Sequence, residues 1–314
     1  MTKLVDFPIT NQWVKSKRGA KNPVKPQRPY AFHVEDERNS SGVVEKVATI
    51  FLSNKECPFQ CLMCDLWKNT TDTKVAPGDI IQQISYALAR LPAANSIKLY
   101  NSGNFFDGNA IPVSEYPAIA QMLEGYDRVI VENHPKLINE HTFRFNELLK
   151  PTLEVAMGLE TSNPEVLKKL NKRMTLEDYV NAVSLLNQHD IKSRSFILLK
   201  TPFMDEAEGI YWAKRSIDFA LNTGVETAVI IPTRYGNEAL NELGRLGFFS
   251  PPDIRSLEEV VSYGIARKSG NIFADLWDIE RFSSCSKCLV SRKNRLGKMN
   301  ITQTIYPEIS CSCQ

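Results

Sequence analysis

Val47-Ala48-Thr49-Ile50-Phe51-Leu52, followed a few residues later by Cys57-Pro58-Phe59-Gln60-Cys61-Leu62-Met63-Cys64, is the stretch on which the reading of this chain turns. The first run reads as a strand, so the three cysteines sit on a tight loop at its carboxyl end. In parallel α/β folds that is the edge where active sites are built. Three closely spaced thiolates suit an iron-sulfur cluster. A four-iron cubane held by three thiolates leaves one iron open to an outside ligand, and an open coordination position separates a reactive metal centre from a closed structural one. The competing readings are a zinc site completed by a distant residue and cysteines packed in the core.

Outward from this loop, apolar runs alternate with helix-period segments. Further strands are expected at Ser96–Tyr100, Arg128–Val131, Leu153–Met157, Ser195–Leu199 and Thr227–Ile231. Between them, Leu176, Tyr179, Val180, Val183 and Leu186 recur at helical spacing, with Thr175 and Asp178 as a capping-box start. Asn163 before Pro164 has the order of an N-cap and a first-turn proline. Six strand-then-helix units imply a parallel sheet covered by helices, either an open doubly wound sheet or a partial barrel.

The 314 residues, 43% hydrophobic and 24% charged with 15 Gly and 17 Pro, exclude wholesale disorder, collagen and coiled coil. The net charge of +2 is no whole-chain nucleic-acid signature. The positive charge is instead concentrated at Lys15, Lys17, Arg18, Lys21, Lys25 and Arg28, among prolines 23, 26 and 29, and reads as an extended basic arm. It is either a solvated tail or a contact for phosphates or an acidic substrate, with Trp13 and Tyr30 placed to stack on bases if RNA is bound. The opening Met1–Pro8 lacks the apolar run of a signal peptide, and no stretch approaches the length of a membrane span, so a cytoplasmic protein without membrane partners is expected. Seven cysteines in groups of three and four suggest two metal sites in a reducing compartment rather than a disulfide framework.

The CxxxCxxC loop resembles that of the radical S-adenosylmethionine superfamily, whose motif holds a 4Fe-4S cluster with S-adenosylmethionine on the fourth iron. The residue before the third cysteine is usually aromatic there; here it is Met63. Cys64-Asp65-Leu66-Trp67, Asn101-Ser102-Gly103-Asn104-Phe105, Val131-Glu132-Asn133-His134-Pro135, Gly158-Leu159-Glu160-Thr161 and Leu198-Leu199-Lys200-Thr201-Pro202-Phe203 resemble, within the superfamily, the radical subunits of archaeosine synthase and, nearby, the radical domain of the Elongator catalytic subunit. The similarity spans roughly residues 45 to 265.

The resemblance implies an α/β fold of partial (β/α)6 TIM-barrel type and an enzyme that reductively cleaves S-adenosylmethionine to a 5′-deoxyadenosyl radical, which takes hydrogen from substrate. It implies metal ligation by Cys57, Cys61 and Cys64, and contact with the methionine moiety by Asn101, Ser102, Gly103 and Asn104, a segment that lacks the superfamily's usual glutamate. Glu160 would hold the ribose hydroxyls, Arg194 or Lys200 would pair with the carboxylate, and Ile230-Ile231-Pro232 would offer an edge to adenine. Glu132 and His134 would face the substrate as catalytic groups, and Asp65 and Trp67 would shield the cluster. In the archaeosine relatives the substrate is a lysine adduct on a tRNA base whose C–N bond is broken, and the electron would come from a donor such as flavodoxin or ferredoxin.

Beyond Pro251-Pro252 the pattern loosens: Leu257–Arg267 looks helical and residues 271–277 form a possible further strand. Cys285-Ser286-Lys287-Cys288 and Cys311-Ser312-Cys313 form a CxxC…CxC pair that suits a closed four-thiolate zinc site tying down the end of the chain. An auxiliary iron-sulfur cluster and free thiols are the rivals. The organisation expected is a basic arm over 1–44, the barrel over 45–250 and a metal-stapled extension over 251–314. No P-loop, Rossmann fingerprint or Ser-His-Asp arrangement is present. Two other functions compete with tRNA modification: the same radical chemistry on a small metabolite or peptide, and a non-catalytic iron-sulfur or zinc protein.

Overall fold

A computed structural model describes residues 8–313; residues 1–7, most of the opening stretch read above for a leader, and Gln314 lie outside the described residues. One sheet holds eight strands in chain order: β1 (Ala31–Arg38), β2 (Val44–Phe51), β3 (Ser96–Tyr100), β4 (Arg128–Glu132), β5 (Thr152–Glu160), β6 (Lys192–Leu199), β7 (Thr227–Pro232) and β8 (Asn271–Ala274). From β2 to β8 every pairing is parallel, and β1 runs antiparallel to β2. The helices are α1 (Asn11–Ser16), α2 (Asp79–Leu88), α3 (Tyr116–Met122), α4 (Glu140–Leu148), α5 (Pro164–Lys169), α6 (Leu176–Gln188), α7 (Glu206–Asn222), α8 (Glu238–Arg245), α9 (Ile254–Ala266) and α10 (Ser286–Thr302). This is the partial TIM-type barrel, with seven parallel strands rather than six because 271–274 joins the sheet.

Alternation along each strand sorts the side chains. Ile97 and Leu99, Val129 and Val131, Val155 and Met157, and Ile197 and Leu199 are buried in the core under the helices. The opposite set faces the lumen, and at the amino ends of the strands it is charged. Arg194 gives its Nε to Glu154 at 2.7 Å and its Nη1 and Nη2 to Glu37 at 3.1 and 2.7 Å. Arg128 reaches Glu154 and Glu45, each at 2.7 Å, and Lys98 reaches Glu35 and Glu37 at 2.7 and 2.6 Å. Burial pushes the Glu37 carboxyl up, but Arg194 and Lys98 beside it outweigh that and hold it well below the usual carboxylate range.

This network corrects two expectations. Arg194 stands in the floor of the lumen with its guanidinium fully taken up, away from any ligand at the mouth. Among the described residues, the stretch over 8–44 is no free arm either, because β1 is a sheet strand whose carboxylates complete the floor. Upstream, α1 buries Val14, and three of the six basic residues are ion-paired, Lys17 with Glu242, Arg18 with Glu56, and Lys21 with Glu56 and Asp72, while Arg28 lies over the Tyr86 ring. The capped starts read from sequence are present, with Thr175 and Asp178 forming a capping box for α6 and Asn163 capping α5.

The edge at β8 is sealed by α10, which packs against both β1 and β8. Two carboxamides stand in for a missing strand. Asn300 accepts from the Ala274 N–H at 2.8 Å and donates to its carbonyl at 2.9 Å. Gln303 does the same for Ile272, at 2.7 and 2.8 Å. Each primary amide presents a donor and an acceptor side by side, as a peptide group does, so the edge is satisfied without a further strand.

Replacing Arg194 with Met leaves Glu37 and Glu154 buried without their main cation. Breaking a buried pair from one side costs about 3–5 kcal/mol, and a chemical denaturation curve of Arg194→Met should show a loss of that order.

Candidate active site at the carboxyl ends of the strands

The loop from Cys57 to Cys64 leaves the carboxyl end of β2 and is braced on several sides. Leu62 donates its N–H to the Leu170 carbonyl at 2.8 Å, and Asn171 Nδ2 donates to the Gln60 carbonyl at 2.7 Å, both from the turn between α5 and α6. Asn237, which caps α8, donates Nδ2 to the carbonyls of Leu62 and Cys64 at 3.0 and 3.2 Å. Beside Cys64, Trp67 is buried and Arg18 lies over its ring. Burial pushes the Cys57 thiol up to about 11 and the thiols of Cys61 and Cys64 up to about 12. Thiols so costly to ionise alone become thiolates with a metal to bind.

The Asn101–Asn104 segment after β3 closes over this loop. Asn104 Nδ2 donates to Cys57 Sγ at 3.1 Å, and its Oδ1 accepts from the His134 N–H at 2.7 Å. Glu132, at the end of β4, accepts the backbone N–H groups of Asn101 at 2.7 Å and Gly103 at 3.4 Å through one oxygen. Its carboxylate thus shapes the segment. Burial pushes the Glu132 carboxyl up to about 7 against the pull of these backbone donors. Ser102, at φ 51°, bonds Tyr30 Oη at 3.0 Å.

His134 is a buttress. Its Nδ1 accepts from the Lys136 N–H at 3.2 Å, which leaves Nε2 as the donor to the Lys172 carbonyl at 3.0 Å. The ring stacks on Phe59 of the cysteine loop with centroids 3.8 Å apart. Burial and then the nearby Lys172 charge pull its pKa down to about 3, so the ring is neutral with both nitrogens occupied. With its one N–H given to the Lys172 carbonyl and its other nitrogen accepting from Lys136, the ring has no nitrogen free for a substrate, where a catalytic role was expected for it.

Glu160 closes β5 at φ 65°, after a bulge that leaves Leu159 unpaired between Gly158↔Phe196 and Glu160↔Ile197. The extra residue re-aims the carboxylate back over Gly158. A Cβ on Gly158 would lie 2.0 Å from Glu160 Oε1 and 2.6 Å from Lys172 Nζ, so only glycine leaves room for the pair. Lys172 Nζ donates to Glu160 Oε1 at 2.7 Å and is buried. Burial pulls the Lys172 ammonium down, but Glu160 and the Cys61 and Cys57 thiols outweigh it and the net shift is upward. Lys200, expected to serve a ligand, turns away from the mouth: its ammonium bonds Glu206, Ser250 Oγ and the Pro251 carbonyl at 2.7, 2.9 and 3.2 Å.

The cation at the mouth is therefore Lys172, not Arg194 or Lys200. Nothing in the sequence set it apart from its neighbours Lys168, Lys169 and Arg173 on a basic stretch. Below the mouth, Phe51, Tyr100 and Phe196 form a half-buried aromatic wall, with Phe51–Tyr100 and Tyr100–Phe196 centroids at 6.1 and 6.3 Å, edge to face.

These residues fit a cluster and a polar ligand. Three thiols lie beside an amide donor and an ammonium, and the buried Asn101 carboxamide has neither nitrogen nor oxygen hydrogen-bonded, as do the oxygens of Asn54 and Gln60. The tail thiols are arranged differently. Cys285, Cys288, Cys311 and Cys313 have their sulfurs within 4.8 Å of one another, and the 285–311 and 288–313 pairs stand at 3.8 Å. Arg292 donates to Cys288 Sγ at 3.3 Å and to the Ile309 carbonyl at 3.0 Å, so the tail folds back along α10. The group can hold a metal ion.

No family model matches the chain. It is 25% identical to an uncharacterized protein of Methanocaldococcus jannaschii over 91% of this chain and 85% of that one. It is 23% identical to the archaeosine synthase subunit beta of Methanosarcina acetivorans over 70% of this chain and 67% of that one. The chain resembles the radical S-adenosylmethionine enzymes. Among solved structures, the coproporphyrinogen III oxidase of Escherichia coli, a radical S-adenosylmethionine enzyme, aligns with a TM-score of 0.48 and 11% identity over 84% of this chain and 57% of that one. No helix among the described residues is long and apolar enough to cross a membrane.

The Glu132 geometry predicts a pH effect. Its folded pKa of about 7 lies above the ordinary 4.5, so between these values the folded protein holds a proton that the unfolded chain has released. The contribution of this group is complete below the lower value and is lost as pH rises through the higher one. Unfolding midpoints measured across that window should fall with pH in the wild type, and Glu132→Gln should flatten the dependence.

Proposed function

We propose that this chain is a radical S-adenosylmethionine enzyme of the cytoplasm acting on a modified tRNA nucleoside, in the manner of an archaeosine synthase-like C–N bond lyase. The observation that carries the class is the three-cysteine loop at the carboxyl end of β2, with the Asn101–Asn104 segment and the Glu160–Lys172 pair beside it. Cys57, Cys61 and Cys64 hold the 4Fe-4S cluster, and Asn104 orients Cys57. With S-adenosylmethionine bound, the cluster would supply reductive cleavage to a 5′-deoxyadenosyl radical that abstracts hydrogen, the electron coming from a flavodoxin or ferredoxin. Asn101, Ser102, Gly103 and Asn104 receive the methionine moiety, with Glu132 holding the segment in shape. Glu160 takes the ribose hydroxyls, leaving Lys172 its other N–H donors.

The tail thiols hold zinc. Four thiolates at about 2.3 Å from a tetrahedral ion place their sulfurs about 3.8 Å apart, the spacing of both tail pairs. A cubane spreads its ligands over four irons and holds them farther apart. Replacing Cys61 with Ala should abolish the broad visible absorption and 5′-deoxyadenosine formation after anaerobic reconstitution, while elemental analysis finds the zinc unchanged. Full cleavage by Cys61→Ala would overturn the assignment.

The similarity to archaeosine synthase subunit beta supports the tRNA reading, as does the Phe51–Tyr100–Phe196 wall, which suits a planar base. Lys17, Arg18 and Lys21 are spent on Glu242, Glu56 and Asp72, so Lys15, Lys25 and Arg28, the last lying over the Tyr86 ring, are the arm residues left for phosphates. Three contacts at about −0.7 to −0.9 each give a log-log salt slope of roughly −2 to −3. Fluorescence anisotropy with bulk tRNA should return that slope, and replacing these three residues with Gln should flatten it. No binding at moderate salt would favour a small metabolite or peptide as substrate.

A further inference from the structure

Lys172 does more than its sequence neighbourhood suggests. It lies on the turn between α5 and α6, flanked by Asn171 at φ 51° and Arg173 at φ 57°, left-handed positions that non-glycine residues seldom adopt. That turn is strapped to the cysteine loop from three directions. The Leu170 carbonyl accepts from Leu62, the Asn171 amide donates to Gln60, and the Lys172 carbonyl accepts from His134, whose ring lies on Phe59. The result is a lysine 6% exposed whose ammonium has one hydrogen bond, to Glu160, on a turn bonded directly to the loop that carries Cys57, Cys61 and Cys64.

We propose that Lys172 is the counter-cation of the cluster held by Cys57, Cys61 and Cys64, and that its buried charge, offset by Glu160, sets the potential at which the cluster takes up an electron. The inference rests on the cluster reading given above. One-electron reduction adds a negative charge to the cluster with no bond made and no proton moved, and the electron is supplied by a chemical reductant or a low-potential donor protein. A fixed cation in a medium of low dielectric stabilises that added charge, and groups around the ligands are what tune such potentials. Glu160 opposes it by partly cancelling the cation. A purely structural Lys172 would hold the turn and the Glu160 carboxylate without moving the potential.

The test uses full-length protein, reconstituted anaerobically with iron and sulfide and titrated with dithionite in the absence of S-adenosylmethionine, the reduced cluster being followed by electron paramagnetic resonance. Lys172→Met keeps the aliphatic stem and removes the charge, so its midpoint should move to a more negative value, with Lys172→Arg returning close to the wild type. Glu160→Gln removes the opposing charge and should move the midpoint the other way. If Lys172→Met fails to load the cluster, the sign of the Glu160→Gln shift decides. A fully loaded Lys172→Met with the wild-type midpoint, or a Glu160→Gln midpoint shifted negative, overturns the inference and leaves the cluster assignment standing. Wild-type protein that binds no iron and sulfide at the three-cysteine loop overturns the assignment itself.

Discussion

Arg194 held between Glu37 and Glu154 closes the floor of the lumen, and the placement of everything else follows from that closure. A partial barrel has a cavity open at both ends unless side chains fill one of them. Here the amino ends of β3 to β6 fill it with Lys98, Arg128, Glu154 and Arg194, and β1 brings Glu35 and Glu37 to complete the pairing. Charges buried in this way need every partner, because a lone ion in the interior is far costlier than a matched set. The network therefore constrains which strand lies beside β2 and at what register, and it leaves the carboxyl ends as the accessible mouth.

At that mouth the side chains mostly support one another. Glu132 holds the backbone of Asn101 and Gly103, Asn104 joins Cys57 to the His134 backbone, and His134 joins Phe59 to the Lys172 carbonyl. Glu160 and Lys172 share the space over Gly158. Glu132 and His134, expected to face the substrate, thus brace the three-thiol loop and the segment beside it. Such a division of labour suits chemistry carried by a bound group, since the chain's task is then to hold that group and its ligand in place.

The tail solves a separate problem. Edge strand β8 would expose unpaired peptide groups, and α10 covers them with the carboxamides of Asn300 and Gln303. Cys285 and Cys288 lie at the start of α10 and Cys311 and Cys313 on the segment folded back along it, so the four-thiol group ties both ends of the covering element together. The wall of the barrel and the four-thiol group of the tail are in this way one structure.

The local part of this protein was legible in its residues. Strand runs, the capped starts of α5 and α6, the three-cysteine loop and each of the two cysteine pairs of the tail are set by side chains within a few positions of one another, and so is the position of the three-cysteine loop at a strand's end. What tertiary structure alone decided were the pairings across long separations. β1 was missed because its apolar face is only Phe32 and Val34 before Asp36 interrupts it, and the carboxylates of Glu35 and Glu37 on the other face make sense only when Lys98 and Arg194 stand opposite. Arg194 and Lys200 looked available for a ligand because a cation's partners are invisible until strands from distant parts of the chain bring Glu37, Glu154 and Glu206 to it. Lys172 looked like one of several surface lysines because its burial depends on a bulge in β5 and on a glycine that leaves space above it. Spacing along the chain specifies which chemical groups are present, but the environment that gives a charge its role is assembled from residues that sequence order keeps apart.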